Sequence, residues 1–117
     1  MKLLLIDDEP MNVELFVDSL EASGHSVAVE RDGPGGLARG LHEEFDLILL
    51  DVQLPGASGL QVASALRAAS VRTPILALTS SAMEGDAERG LAAGFDEYLT
   101  KPISPTRLRA AVARYAK

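Results

Sequence analysis

Two apolar runs in this chain end in acids. Leu3-Leu4-Leu5-Ile6 runs into Asp7-Asp8, and Leu47-Ile48-Leu49-Leu50 runs into Asp51. An unbroken apolar run of this length reads as a strand buried on both faces of a parallel sheet. Acids at the carboxyl ends of such strands stand at the crevice where open α/β sheets bind ligands. If the two strands are neighbours, Asp7, Asp8 and Asp51 meet at one sheet edge. Crowded carboxylates raise one another's pKa, and a divalent cation relieves the repulsion. An all-oxygen set with no His or Cys nearby points to Mg²⁺, with Mn²⁺ as a substitute, and away from zinc. A carboxylate beside such an ion can attack phosphorus and become an aspartyl phosphate. Two more strand ends supply the complementary groups: Thr79 closes Ile75-Leu76-Ala77-Leu78 with a hydroxyl, and Lys101 follows Tyr98-Leu99-Thr100 with an amine. Such an amine neutralises charge on a transferring phosphoryl group, and the hydroxyl can donate to one of its oxygens. The set is complete for moving a phosphoryl group onto Asp51.

The elements that must position these groups alternate. Residues 2–6 form the first strand, and Pro10 suits the first position of a helix whose Val13, Phe16, Val17 and Leu20 share one face, with Gly24 ending it. Val27 and Val29 mark a short second strand nearer a sheet edge. Asp32 can cap a second helix of about 34–43, in which Gly35, Gly36 and Gly40 each cost roughly 1 kcal/mol relative to Ala; it is the expected weak helix. The buried strand at 46–51 is followed by the turn Leu54-Pro55-Gly56 and by a third helix from Ser58 to about Ala69, with Leu60, Ala63 and Leu66 inward. Pro74 opens the fourth strand, 75–79. A fourth helix of about 83–93 ends at Gly94, and Phe95 to Leu99 form the fifth strand. Ser104 and Pro105 begin a last helix that turns Leu108, Ala111, Val112 and Tyr115 inward. Five strands alternating with five helices predict an α/β fold, a doubly wound five-stranded parallel sheet with helices on both faces.

Composition excludes several functions. The 117 residues have room for one domain, 1–117, and the 47% hydrophobic and 24% charged content fits a packed core rather than disorder. No apolar run approaches the ~20 residues of a membrane span, and Met1-Lys2 plus four apolar residues is too short for a signal peptide. There is no cysteine, hence no disulfide or thiolate chemistry, and the expected location is the cytoplasm. A net charge of −6 and only 4% aromatic residues argue against direct nucleic-acid binding. His25 and His42 have no partner at metal-ligand spacing and read as surface or satisfied residues.

The chain resembles the receiver domains of two-component response regulators. The marks are Asp7-Asp8 after the first strand, Asp51 in Leu-Asp-x-x-Leu-Pro-Gly after the third, Thr79 after the fourth, and Tyr98-x-x-Lys101-Pro102 after the fifth, and the likeness covers essentially the whole chain. It implies the flavodoxin-like strand order 2-1-3-4-5. It makes Asp51 the phosphoacceptor, Asp8 and Asp51 direct Mg²⁺ ligands, the backbone carbonyl of Gln53 a third, and Asp7 a ligand through water. It makes Lys101 a partner of the phosphoryl oxygens, Thr79 the switching hydroxyl and Tyr98 the aromatic that turns inward, and it gives the Lys101-Pro102 bond a cis geometry. The implied donor is a phosphohistidine on a sensor histidine kinase or histidine phosphotransfer protein. The implied output is a downstream protein target on the face of the fourth helix, fifth strand and fifth helix (α4-β5-α5 in the family), about residues 83–116. Departures from the family pattern are Ala57 where Met is common, Ser58 where Asp is common, Ser80 after Thr79, and a glycine-rich second helix. Gln53 and Ser81 stand where the family varies.

Each residue alone has an ordinary reading: Asp7-Asp8 as a turn and cap, Thr79 as a strand residue, Lys101 as a solvated charge, Tyr98 as core. Their order at successive strand ends is what favours the sharper one. Two rivals stand beside it. An aspartyl-nucleophile phosphatase of the haloacid dehalogenase type would want Asp-x-Asp after its first strand and a cap domain. A receiver-like binding module that is never phosphorylated would have no need of Asp51, Lys101 and Thr79 together.

Overall fold

The computed structural model describes residues 1–79 and 94–115. Strand and helix alternate along them as β1 (Lys2–Ile6), α1 (Pro10–Ala22), β2 (Ser26–Glu30), α2 (Gly33–His42), β3 (Leu47–Asp51), α3 (Gly59–Ala68), β4 (Ile75–Thr79), β5 (Glu97–Thr100) and a C-terminal helix (Pro105–Ala113). The expected fourth helix over about 83–93, with Ser80 and Ser81 before it, lies outside the described residues. All strand pairs are parallel and the sheet order is β2-β1-β3-β4-β5, as expected.

Alternate residues of the central strands serve two layers, which is why their apolar runs are unbroken. Leu3, Leu5, Leu47, Leu49, Leu76 and Leu78 pack with Val13, Phe16 and Leu20 of α1 and with Leu108, Ala111 and Val112 of the C-terminal helix. Leu4, Ile6, Ile48, Leu50, Ile75 and Ala77 pack on the other side with Val62, Ala63 and Leu66 of α3. Val62 therefore takes the buried place expected of Leu60, which is only half-buried. Both lie near the core-facing stripe, but Val62 falls under the sheet and Leu60 at its margin.

Helix ends are set by local chemistry. The Glu9 side chain accepts from Met11 N, Asp32 from Gly35 N, Ser58 from Gln61 N and Ser104 from Arg107 N. Gln61 returns the favour to Ser58 N, closing a capping box. The glycines of α2 have a packing reason that the sequence hides. A methyl group at Gly36 would lie 2.6 Å from Ile6 Cδ1, and one at Gly40 would lie 3.0 Å from Leu66 Cδ2. The helix presses on β1 at Gly36, and at Gly40 it packs tightly on Leu66 of α3, which would have to give way slightly to a methyl group.

Strand β5 begins at Glu97, two residues later than the sequence predicts. Gly94, at φ +112, is still turning, and Phe95 drops into the layer under α3. The C-terminal helix ends at Ala113, so Tyr115 packs on the core from beyond its end, its hydroxyl 3.2 Å from Glu97 Oε1. Among the described residues, no helix is long and apolar enough to cross a membrane.

Candidate functional site

Register brings the acids together. Ile6 pairs with Leu50, so Asp7 and Asp51, one step further along neighbouring strands, stand side by side at the carboxyl edge. Thr79 pairs with Thr100, which sets Lys101 just beyond it, and Lys101 N donates to Thr79 O at 2.6 Å. The Lys101-Pro102 peptide is cis, as expected.

One carboxylate oxygen from each of Asp7, Asp8 and Asp51 lies within 4.8 Å of the other two. Asp7 is fully buried and Asp51 is 5% exposed, while Asp8 faces solvent. Lys101 Nζ stands 2.8 Å from Asp51 Oδ2 and 3.5 Å from Asp7 Oδ2. The remaining oxygens are held by backbone: Glu9 N donates to Asp7 Oδ1 and Gln53 N to Asp51 Oδ1, both at 2.9 Å. Asp8, Gln53 and Lys101 open into a cleft of about 540 Å³ whose wall also carries Glu9, Asn12 and Leu54.

Burial pushes the Asp7 carboxyl above its usual range, and the neighbouring Asp51 adds to the rise; the Glu9 N–H and Lys101 oppose it without cancelling it. Burial alone would lower Lys101, but its bond to Asp51 and the charges of Asp7 and Asp51 outweigh that and raise it. The amine is a fixed cation between two acids. Three converging carboxylates, one of them strained by burial, form an oxygen-only set that fits a hard divalent cation such as Mg²⁺.

Thr79 is buried at the end of β4. Tyr98 lies beside Ala77 on the neighbouring strand, half-buried against the layer under α3, its ring edge-on to Phe95 with centroids 6.0 Å apart. By strand alternation Thr79 and Tyr98 belong to the same sheet face, two positions apart. The two histidines are remote: His25 precedes β2 and His42 ends α2, both at the opposite edge. The structure thus gathers Asp8, Asp51, Gln53 and Lys101 around one cleft, with buried Asp7 against Asp51 and Lys101, and sets Thr79 beside Lys101. Sequence reading missed Glu9 and Asn12. The usable signal was position, since the first turn of a helix that follows an acidic strand end must overhang that edge.

A family model described as the response regulator receiver domain matches residues 3–113. The chain is 42% identical over 111 residues to the alkaline phosphatase synthesis transcriptional regulatory protein PhoP of Bacillus subtilis (strain 168); the match covers 95% of this chain and 46% of that protein. The chain thus spans about half the length of that relative. Among solved structures, the chemotaxis protein CheY4 of Vibrio cholerae superposes with a TM-score of 0.92 at 31% identity, covering 98% of both chains. The receiver domain of the sensor histidine kinase PA1611 from Pseudomonas aeruginosa PAO1, which has a magnesium ion coordinated in its active site cleft, superposes with a TM-score of 0.89 at 33% identity, covering 97% of this chain and 95% of that one. On this sequence match and this shared fold, the chain belongs to the response regulator receiver domain family.

Proposed function

We propose that residues 1–117 form one receiver unit in which Asp51 accepts a phosphoryl group from a phosphohistidine on a sensor histidine kinase or histidine phosphotransfer protein. The supporting observation is the Lys101 amine 2.8 Å from Asp51 Oδ2, in a cleft shared with Asp8 and with buried Asp7 close behind it. Mg²⁺, when bound by Asp8, Asp51 and the backbone carbonyl of Gln53, with Asp7 behind a water, supplies positive charge to the phosphoryl oxygens.

One carboxylate oxygen of Asp51 attacks phosphorus. A P–O bond forms and the P–N bond breaks, its electron pair returning to a ring that leaves as neutral imidazole when its other nitrogen is protonated. Gln53 N holds the other Asp51 oxygen and so orients the carboxylate. Lys101, already charged, transfers its contact from Asp51 to a phosphoryl oxygen. The new group adds charge and acceptors at the sheet edge. Thr79 donates to it, Tyr98 takes the space that Thr79 leaves, and the surface of about residues 83–116 changes its preference for a protein target. This is a population shift between two states, biased by contacts that only the phosphorylated form makes.

The test is labelling with acetyl phosphate in Mg²⁺. Wild type is expected to gain one acid-stable, hydroxylamine-labile phosphoryl group, Asp51→Asn none. Equal labelling of the two removes Asp51 as the nucleophile, and catalytic turnover of a phosphomonoester would move the site to the phosphatase class.

A further inference from the structure

The loop that carries Gln53 away from Asp51 does not stand alone. It lies under the first turn of α2, and the contact is backbone against backbone. Gly33 N donates to Pro55 O at 3.1 Å. A methyl group on Gly33 would sit 2.4 Å from the Ala57 carbonyl oxygen and 2.8 Å from the Ala57 Cβ. On the other side of the turn, a methyl group on Gly56, at φ +84, would meet the Pro34 ring at 2.9 Å. The far end of the loop is fixed to β3, because Gly59 N donates to Val52 O at 2.8 Å and a Cβ on Gly59 would lie 2.3 Å from Asp51 O. Backbone cannot rotate away as a flexible side chain does, so any thickening of Gly33 must push the loop.

We propose that Gly33 and Pro34 are positioning residues for the phosphoacceptor: their contact with Pro55, Gly56 and Ala57 fixes the loop that presents Gln53 to Asp51 and to the cation. This rests on the phosphoacceptor reading above and adds a determinant outside the cleft. Gln53 N holds Asp51 Oδ1 at 2.9 Å, so a shift of the loop by a few tenths of an ångström reorients the carboxylate itself. Ala57 is the matching feature on the loop, since a larger side chain there would have to displace the Gly33 turn.

Gly33→Ala is compared with Gly40→Ala, a buried glycine of the same helix whose added methyl meets only Leu66 and Ile48 side chains. In metal-free protein, NMR is expected to show the Gln53 amide displaced in Gly33→Ala and unmoved in Gly40→Ala. A Mg²⁺ titration is expected to show affinity weakened about 5–20-fold in the first and within about 2-fold of wild type in the second, whatever their relative melting temperatures. Gly33→Ala with a wild-type Gln53 amide and wild-type Mg²⁺ affinity overturns the proposal, as does Gly40→Ala with equal effects. If Gly33→Ala does not fold, Pro34→Ala decides, because it removes atoms: a 2–3-fold weaker Mg²⁺ affinity supports the brace, no change refutes it. A wild-type protein that neither binds Mg²⁺ nor labels would sink the phosphoacceptor reading instead, and the Gln53 amide would still report on the brace.

Discussion

Lys101 Nζ lies 2.8 Å from Asp51 Oδ2 although 50 residues separate the two in the chain. The pairing is the product of strand order: β3, β4 and β5 are consecutive in the sheet, and each ends at the same edge. The same amine reaches buried Asp7 at 3.5 Å, so one cation compensates two acids. That makes Lys101 the compensating charge for both acids in the metal-free protein, beside the role proposed for it toward a phosphoryl group.

Lys101→Met should therefore separate these roles. In EDTA it leaves Asp7 and Asp51 without a cation and costs about 2–4 kcal/mol of stability by denaturant melts. In saturating Mg²⁺ the loss should shrink to less than half, and Mg²⁺ affinity should tighten a few-fold because a competing charge is gone. The same loss of stability with and without Mg²⁺ would show that Lys101 is not the acids' compensating charge.

Asp7 gives a pH dependence. Burial raises its folded pKa above the unfolded value of 3.8, so the folded state holds this proton more tightly than the unfolded one. Metal-free stability is therefore penalised at neutral pH, and the penalty fades as pH falls through the raised folded value toward 3.8. Asp7→Asn should be more stable than wild type in EDTA at pH 7 by about 1–3 kcal/mol, the scale of a buried polar group whose partners fall short of its desolvation cost. Its advantage should vanish on acidification, while Mg²⁺ binding weakens about tenfold at neutral pH. Thermal melts at several pH values read this directly; an advantage that grows as pH falls would reverse the sign of the argument.

Thr79 and Tyr98 share a sheet face two positions apart on β4 and β5. Thr79→Ala removes the hydroxyl and keeps both the Asp51 carboxylate and the Lys101 amine. Labelling by acetyl phosphate should stay within about 3-fold of wild type, because the acceptor and its cation are intact. The Tyr98 ring signals should then fail to move on phosphorylation. If they move as in wild type, the hydroxyl is not what couples the site to Tyr98.

Much of this arrangement could be read from the chain because it obeys local rules. A parallel strand buried on both faces must be apolar throughout, so the residue that ends each run marks the sheet edge; Asp7, Asp51 and Thr79 stand at such ends, and Lys101 just past the last strand. What could not be read depends on contacts between distant elements. The glycines of α2 look like defects until Ile6, Leu66 and Ala57 are seen against them. Val62 and Leu60 differ only in how α3 rolls on the sheet. Asn12 lines the cleft through the path of α1, which no residue of its own neighbourhood announces.

Arg67 belongs to the same class of long-range features, and it yields a prediction that sets folding apart from chemistry. From the last turn of α3 its guanidinium donates to Val71 O and Thr73 O at 2.8 Å, to Gly94 O at 2.9 and 3.1 Å, and to Asp96 Oδ2 at 2.9 Å. Asp96 in turn takes Ile75 N at 2.8 Å. The guanidinium thus ties the starts of β4 and β5 together, at the edge opposite Asp51. Arg67→Met strands several carbonyls and a carboxylate, and is expected to cost about 2–4 kcal/mol. Because none of these groups touches the cleft, Mg²⁺ affinity and the rate of labelling should stay within 2-fold in whatever fraction remains folded. A tenfold loss of Mg²⁺ affinity in folded Arg67→Met would mean that the two edges of the sheet are coupled more tightly than their separate hydrogen bonds imply.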